Sequence, residues 1–156
     1  MWRLLWIAGT VFIFDQLTKY FATDYLMQHG EVNLGPFLNL VLVHNTGAAF
    51  GFLSSASGWQ NGLFMFVALG ACAFILWMLS RLKRQEMLLA VALMLILGGA
   101  LGNLLDRVIF GYVIDFVDVH YRHWHWPAFN IADSSITIGA ILLIFDALGI
   151  RRKVKT

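Results

Sequence analysis

The sequence has little charge and almost no cysteine. Of its 156 residues only 13% are charged and 60% are hydrophobic, whereas a soluble domain has roughly 25% charged and about 45–50% apolar residues. The formal charge of +2 is too small to indicate a nucleic-acid partner. Cys72 is the single cysteine, so no intramolecular disulfide can form. These shortages exclude a soluble or disulfide-stabilised enzyme and indicate one compact membrane domain.

The hydrophobic residues are concentrated in four blocks, each close to the roughly 20 residues that a helix needs to cross a bilayer. The first block continues past Asp15, and no small-residue cleavage site closes it, so it is interpreted as an uncleaved span rather than a secretory signal. We therefore expect a single all-α membrane domain over residues 1–156. The predicted spans are residues 4–22, 61–80, 87–105 and 134–150.

The basic residues orient these spans. Eight of the eleven Lys and Arg residues fall on one side if the chain crosses four times. They are Arg3, Arg81, Lys83, Arg84, Arg151, Arg152, Lys153 and Lys155. Because basic residues favour the cytoplasmic side, both termini are expected in the cytoplasm. Lys19, Arg107 and Arg122 then lie at or near the opposite face.

Two longer segments, roughly residues 23–61 and 106–133, are expected to face outward. The first contains the apolar and β-branched run 39–44, which predicts short strands in a small sheet on the membrane surface. The second carries Tyr112, Tyr121, Trp124 and Trp126. Amphipathic rings of this kind favour the lipid headgroup layer.

Asp115 and Asp133 are the candidate catalytic pair. Asp115 has apolar neighbours just beyond the third span, and Asp133 begins the fourth, so both are expected at the same outer depth. Two carboxylates a few Å apart share a proton, because both cannot ionise easily. One member can then activate a water while the other protonates the scissile carbonyl. This chemistry requires no metal, cofactor, serine–histidine pair or nucleophilic cysteine.

Structural alternatives stay open for both acids and for their neighbours. Asp133 is in a position typical of a helix N-cap, and Asp115 could be a solvated loop acid. Asp15 and Lys19 are four residues apart, which favours a structural ion pair on one face of a helix. Asp106 is expected to pair with a neighbouring base.

Four further features each have a structural interpretation, and three of them also have a functional one. Arg107 could contact substrate or place a favourable charge at a helix C-terminus. Gly98 and Gly102 favour close helix packing. The run 47–49 could admit a peptide backbone or form a tight turn. The histidines near the outer aromatics are better explained by an interfacial segment than by a metal site, because a matching ligand set is absent. They are His120, His123 and His125.

Several short motifs together resemble one family. They are Asp15-Gln16-Leu17-Thr18-Lys19, Asn45-Thr46-Gly47-Ala48-Ala49-Phe50, Gly98-Gly99-Ala100-Leu101-Gly102-Asn103-Leu104-Leu105-Asp106-Arg107, Asp115-Phe116 and Phe129-Asn130-Ile131-Ala132-Asp133. In this order and over essentially the whole chain they resemble the bacterial lipoprotein signal peptidases, also called signal peptidase II. No motif position departs from the family pattern.

The resemblance implies four transmembrane helices with a small extracytoplasmic β-sheet cradle in the bacterial inner membrane. It implies an aspartyl endopeptidase that cleaves prolipoproteins before a diacylglyceryl-modified cysteine, with Asp115 and Asp133 as catalytic residues near the outer face. Membrane lipids are the other expected partners, and the chain is expected to act as a monomer. The supporting site residues that it suggests are Asn45, Gly47, Asn103, Arg107, Asn130 and Ala132.

Two other functions compete with the peptidase. A proton-coupled transporter would use intramembrane acids as a relay, but it needs polar groups through the membrane depth, and here they gather at one face. A non-catalytic membrane assembly factor would use the glycines and aromatics, but it gives no reason for polar groups at a single depth.

Overall fold

The computed structural model describes residues 1–47 and 59–149. It is mostly helical with a small antiparallel sheet. After a 3₁₀ turn at Trp2–Leu4, the helices are α1 (Leu5–His29), α2 (Trp59–Arg81), α3 (Met87–Phe110) and α4 (Ile131–Ala147). The strands are β1 (Val32–Gly35), β2 (Leu38–Asn45), β3 (Val113–Tyr121) and β4 (Trp124–His125).

Helix α3 is the centre of the bundle and packs on α1, α2 and α4. Small residues permit this close approach. A Cβ atom placed on Gly98 would lie 2.7 Å from the Ala8 carbonyl oxygen of α1, and one on Gly139 of α4 would lie 2.7 Å from the Ala92 carbonyl oxygen of α3. A Cβ on Gly102 would also collide with the Asp15 carboxylate of α1. The packing interpretation of Gly98 and Gly102 is therefore confirmed, since a side chain at either position would push the helices apart.

Among the described residues, two helices are long and apolar enough to cross a membrane, α2 and α3. Helix α4 has 17 residues, and α1 carries Asp15, Lys19 and Asp24. The four-span count therefore stays a prediction.

The sheet has the order β1-β2-β3-β4 with antiparallel pairing throughout. The run 39–44 forms β2, as predicted, but its partner β3 was not predicted in the second outer segment. The register changes between Leu40 and Val43 of β2, so that Val43 lies opposite Asp115 and Asn45 opposite Val113. The pairing therefore places Asp115 near the end of β2.

Two helices extend beyond the predicted spans. Helix α1 continues to His29 rather than ending near residue 22, and α3 continues to Phe110 rather than 105. Asp106 and Arg107 therefore lie within α3 and not in an outer loop. Gly111 ends α3 with a left-handed backbone (φ 83°), and its N–H donates to the Arg107 carbonyl at 3.1 Å. Residues 48–50, Ile150 and the C-terminal basic residues lie outside the described residues.

Candidate active site

Asp115 is a buried carboxylate held by two asparagines. It lies on β3 with only 1% of its surface exposed. Its Oδ1 accepts a hydrogen bond from the Asn130 amide at 2.7 Å, and its Oδ2 accepts one from the Asn45 amide at 2.9 Å. The alternative of a solvated loop acid is therefore wrong.

Asp133 is fixed at the first turn of α4 by a reciprocal capping box. The Asn130 side chain accepts from the Asp133 backbone N–H at 2.9 Å, and Asp133 Oδ2 accepts from the Asn130 N–H at 3.2 Å. The N-cap is therefore Asn130 and not Asp133. The other carboxylate oxygen of Asp133 accepts from the Asn103 amide of α3 at 2.8 Å.

Asn130 connects the two acids. Its side-chain amide donates to Asp115, while its backbone N–H donates to Asp133. It is fully buried, and its side chain also lies 3.2 Å from Asn103 Oδ1 and 3.1 Å from the Ile114 carbonyl. The structure thus brings Asp115 and Asp133, from β3 and α4, to a single asparagine.

The surroundings of Asp115 favour its neutral form. Burial raises its pKa to about 7, and the negative charge of Asp133 adds to the rise. The hydrogen bonds from Asn45 and Asn130 and the charge of Lys19 oppose this rise, because they stabilise the ionised form. A pKa of about 7 means that Asp115 takes up a proton near neutral pH.

A second acidic group lies next to this pair and contains a lysine. Lys19 Nζ is 2.8 Å from Asp15 Oδ2 and 2.8 Å from Asp106 Oδ2. It also donates to Asn103 Oδ1 at 2.9 Å. All three charged side chains are at most 2% exposed. The expected pairing of Asp15 with Lys19, and of Asp106 with a nearby base, is therefore present in the structure.

This cluster also fixes the backbone near both candidate catalytic acids. Asp15 Oδ1 accepts from the Ala132 N–H at 2.9 Å, next to Asp133 in the chain. Asp106 Oδ2 accepts from the Ile114 N–H at 3.2 Å, next to Asp115. Gln16 donates to Asp106 Oδ1 at 2.9 Å. Gln16 belongs to the first motif, but no separate role was predicted for it.

Arg107 faces the acids without forming an ion pair among the described residues. Its guanidinium interacts electrostatically with Asp133 and Asp115 and lies 5.3 Å from the centre of the Phe64 ring. One terminal nitrogen donates to the Asn103 carbonyl at 3.2 Å. Its position in the last turn of α3 also fits a favourable helix C-terminal charge, so both interpretations are compatible with the geometry.

Gly47 holds the Asn45 side chain in place. Its N–H donates to Asn45 Oδ1 at 2.8 Å, and this orients the Asn45 amide toward Asp115. Gly47 has φ 93°, and the Phe64 ring occupies the space in which a Cβ would lie. The tight-turn interpretation of Gly47 therefore fits, because both the backbone and the space favour glycine.

The outer histidines lie apart from the acids. His125 Nδ1 is 2.9 Å from Asp118 Oδ2, and the rings of His120 and His125 stack with centres 5.2 Å apart. The His44 ring stacks on Tyr112 at 4.2 Å. Within residues 1–47 and 59–149, no group of three or more His, Cys, Asp and Glu side chains is arranged to hold a metal ion.

Comparison with known proteins decides the family. The model of the family described as signal peptidase (SPase) II matches residues 7–149. The chain belongs to the signal peptidase II family. As a member of this family it is a protease. The transporter and assembly-factor interpretations do not fit this class of protein.

Curated relatives agree with the family assignment. The lipoprotein signal peptidase of Pseudoalteromonas atlantica is 48% identical over 144 residues, which are 92% of this chain and 88% of the relative. That of Burkholderia thailandensis is 51% identical over 144 residues, 92% of this chain and 86% of the relative.

Solved structures show the same fold. Two structures titled as a bacterial membrane enzyme, solved by the in meso method, superpose on the whole of this chain. One has a TM-score of 0.81 at 33% identity and is covered over 94% of its length. The other has a TM-score of 0.80 at 34% identity and is covered over 96%. This member of the signal peptidase II family therefore has the fold of known membrane enzymes.

Proposed function

We propose that this protein is an aspartyl endopeptidase that removes signal peptides from prolipoproteins, cleaving on the N-terminal side of a diacylglyceryl-modified cysteine. Asp115 and Asp133 are its catalytic pair. The observation that carries the proposal is that one asparagine, Asn130, donates to both carboxylates. Among the described residues, neither carboxylate has a cation within ion-pair distance, so the pair is available to hold a proton.

The reaction uses one protonated and one ionised acid. The ionised acid takes a proton from a water molecule while the water oxygen attacks the scissile carbonyl carbon. The protonated acid donates its proton to the carbonyl oxygen, giving a neutral tetrahedral intermediate. When the carbon–nitrogen bond breaks, the pair delivers one proton to the leaving amine and takes one back from the intermediate. The pKa of Asp115, about 7, suits this exchange at neutral pH.

The supporting residues have four roles. The asparagines Asn45, Asn103 and Asn130 hold the carboxylates, and Arg107 binds a carbonyl of the substrate. Gly47 and Ala132 supply backbone N–H groups that hold Asn45 and Asp15. The structural polar residues are Asp15, Lys19 and Asp106, whose cluster fixes α1 against α3 and against the start of α4.

The chain is proposed to be one domain that crosses the bacterial inner membrane four times. Both termini would lie in the cytoplasm and the site near the outer face. Two observations support this topology. Helices α2 and α3 are long and apolar enough to span, and α1 and α4 pack against α3. The distribution of basic residues supplies the orientation.

A lipid-bearing substrate fits a site at the edge of the bilayer. A cavity of about 370 Å³ lies beside Asp133 and has mainly apolar walls. Its lining residues are Trp126, Phe129, Asp133, Ser134, Thr137 and Ile138. Acyl chains that stay in hydrocarbon contribute about 0.8 kcal/mol for each buried CH₂. This binding energy comes from a part of the substrate remote from the scissile bond. The enzyme is proposed to work as a monomer with surrounding lipid.

Substitution of each acid tests the proposal. The Asp115→Asn and Asp133→Asn variants would be purified in detergent and assayed with a synthetic diacylglyceryl peptide. Each is expected to lose at least about 10³-fold in rate, because neither can complete the proton exchange. Asp24→Asn, at an exposed position of α1, is the matched control and should cleave normally. Substantial cleavage by a folded Asp133→Asn variant would rule out this catalytic pair.

A further inference from the structure

Two buried polar atoms beside the candidate active site have no hydrogen-bond partner among the described residues. They are Oδ1 of Asn61, in the first turn of α2, and Nε of Arg107. The amide of Asn61 has a defined orientation, because its Nδ2 donates to the Arg107 carbonyl at 3.3 Å. The free end of this amide is therefore an acceptor, whereas the free group of Arg107 is a donor. Buried polar groups without partners are uncommon and require an explanation.

Both residues belong to the wall around the catalytic acids. The Phe64 ring, one turn after Asn61 on α2, lies against the Arg107 guanidinium and against Gly47. Gly47 in turn holds Asn45, which donates to Asp115. The Arg107 guanidinium interacts electrostatically with both acids. The beginning of α2 is thus connected to the site through two independent contacts.

One acceptor and one donor together match the backbone of an extended peptide. Such a chain presents carbonyl oxygens and N–H groups in alternation, and only the backbone offers both at every residue. A substrate that brings its scissile carbonyl to the acids must place neighbouring backbone groups within a few Å of it. The two free atoms would then gain hydrogen-bond partners when substrate binds.

We propose that Asn61 is a further substrate-binding residue. Its Oδ1 accepts a hydrogen bond from a backbone N–H close to the scissile bond, while Arg107 Nε donates to a backbone carbonyl. The proposal rests on the proposed peptidase function, and it concerns recognition of the main chain rather than of side chains. Such recognition suits an enzyme that accepts many different signal peptides, because every peptide substrate carries the same backbone groups.

The test replaces single backbone N–H groups of the substrate by ester oxygens, one position at a time, and leaves the scissile amide intact. An ester keeps the carbonyl but cannot donate. With the wild-type enzyme, the ester at one position should lower kcat/KM about tenfold, because one hydrogen bond to a buried acceptor is lost. The kcat/KM of the Asn61→Leu variant should be about tenfold lower with the unmodified peptide. The ester at that position should not lower it further.

This pattern separates contact from structural support. A purely structural role for Asn61 would lower cleavage of every substrate equally and preserve the ester penalty. Asn61→Ala is the second variant should the leucine prevent folding, and thermal unfolding in detergent verifies the fold. Leu63→Ala, which alters a 45% exposed side chain of the same turn, is the matched control and should retain the wild-type ester profile.

Two results would overturn the proposal. In one, Asn61→Leu cleaves the unmodified peptide as well as wild type does, so that Oδ1 contacts only water. In the other, the ester penalties of the variant equal those of wild type at every position. If the proposed peptidase function itself is wrong, the result is different. Either the wild-type enzyme does not cleave the peptide, or the Asp115→Asn variant cleaves it.

Discussion

Two pairs of acids lie side by side in this protein, and they differ in what lies between them. Asp15 and Asp106 share the ammonium group of Lys19, with both distances 2.8 Å. Among the described residues, Asp115 and Asp133 share a hydrogen-bond donor in the neutral Asn130. An ammonium stabilises ionised carboxylates in a buried place, whereas amide donors compensate only part of the cost of burial. The first pair therefore suits a permanent ionic connection, and the second suits a site that gains and loses a proton.

Asn103 connects the two pairs and has a fixed orientation. Its Oδ1 accepts from Lys19 at 2.9 Å, which leaves its Nδ2 to donate to Asp133 at 2.8 Å. Lys19 thus determines which end of this amide faces the candidate catalytic acid. A substitution in the ionic group is therefore expected to affect the fold, while one in the proton-holding pair is expected to affect activity and its pH dependence.

The largest expected effect on stability comes from removing the lysine. Lys19→Met would leave Asp15 and Asp106 buried without their cation, and loss of one partner from a buried ion pair costs about 3–5 kcal/mol. We expect a large drop in the melting temperature in detergent. Asp24→Asn on the same helix is the control and should change stability by less than about 0.5 kcal/mol. A Lys19→Met protein as stable as wild type would show that the two pairs do not differ in the proposed way.

The second prediction is that the stability of the protein depends on pH through Asp115, a member of the other pair. Burial raises the pKa of Asp115 from 3.8 to about 7. The contribution of Asp115 to the free energy of unfolding is therefore fully present below pH 3.8 and is lost as the pH rises through about 7. The loss is at most about 4 kcal/mol. Asp115→Asn cannot ionise, so the variant should gain stability relative to wild type as the pH rises.

The measurement is the difference in melting temperature between Asp115→Asn and wild type at pH 5 and at pH 8. The Asn45 and Asn130 amides both donate to this side chain, so the substitution can also carry a constant penalty. Only the change with pH tests the pKa of Asp115. A difference that stays the same at both pH values would mean that Asp115 is ionised throughout, like a carboxylate beside a cation.

A third substitution separates the acids by moving a helix. Gly99 faces α4, and a Cβ there would collide with the Ala132 carbonyl, next to Asp133. Overpacking of this kind costs about 1–3 kcal/mol, and Gly99→Ala should also reduce kcat because it displaces the helix that carries Asp133. Gly70→Ala, where no other atom lies within 4 Å, is the control. Full activity of Gly99→Ala would show that the acids tolerate a shift of α4.

The sequence predicted the helices well because long apolar runs depend on local composition alone. It placed the end of the third span at residue 105 and the outward-facing segment from residue 106, whereas α3 continues to Phe110. In the structure Lys19 of α1 forms an ion pair with Asp106, which compensates this buried charge within α3. This compensation depends on a contact between distant parts of the chain, which hydropathy does not report.

Residue type and family resemblance identified Asp115 and Asp133 as the candidate acids. Neither predicted that Asn130 would donate a hydrogen bond to both. No spacing rule relates Asn130 to Asp115, because the two residues belong to different elements and meet only through a tertiary contact. The same limit applies to Asn61. A single asparagine at the start of an apolar helix resembles any helix start, and only its unpaired oxygen beside Arg107 distinguishes it.

The smallest expected effect is a shift in pH dependence. The proposed reaction needs one proton on the acid pair, so kcat/KM should fall as the pH rises through about 7, the pKa of Asp115. Asn45 donates to Asp115 and favours its ionised form. Asn45→Ala should therefore raise that pKa and move the alkaline limb upward by roughly one unit, since one such hydrogen bond contributes about 1 kcal/mol.

The pH profile of kcat/KM, measured with the synthetic lipidated peptide, decides this prediction. Asn33→Ala is a suitable control, because Asn33 lies in the same sheet but hydrogen-bonds Asn39 and Gly35 rather than the acids. An unmoved limb in Asn45→Ala would assign the titration to another group. A downward shift would mean that Asn45 stabilises the neutral acid, and the amides around Asp115 would then act in the opposite sense to the ammonium of Lys19 beside Asp15 and Asp106.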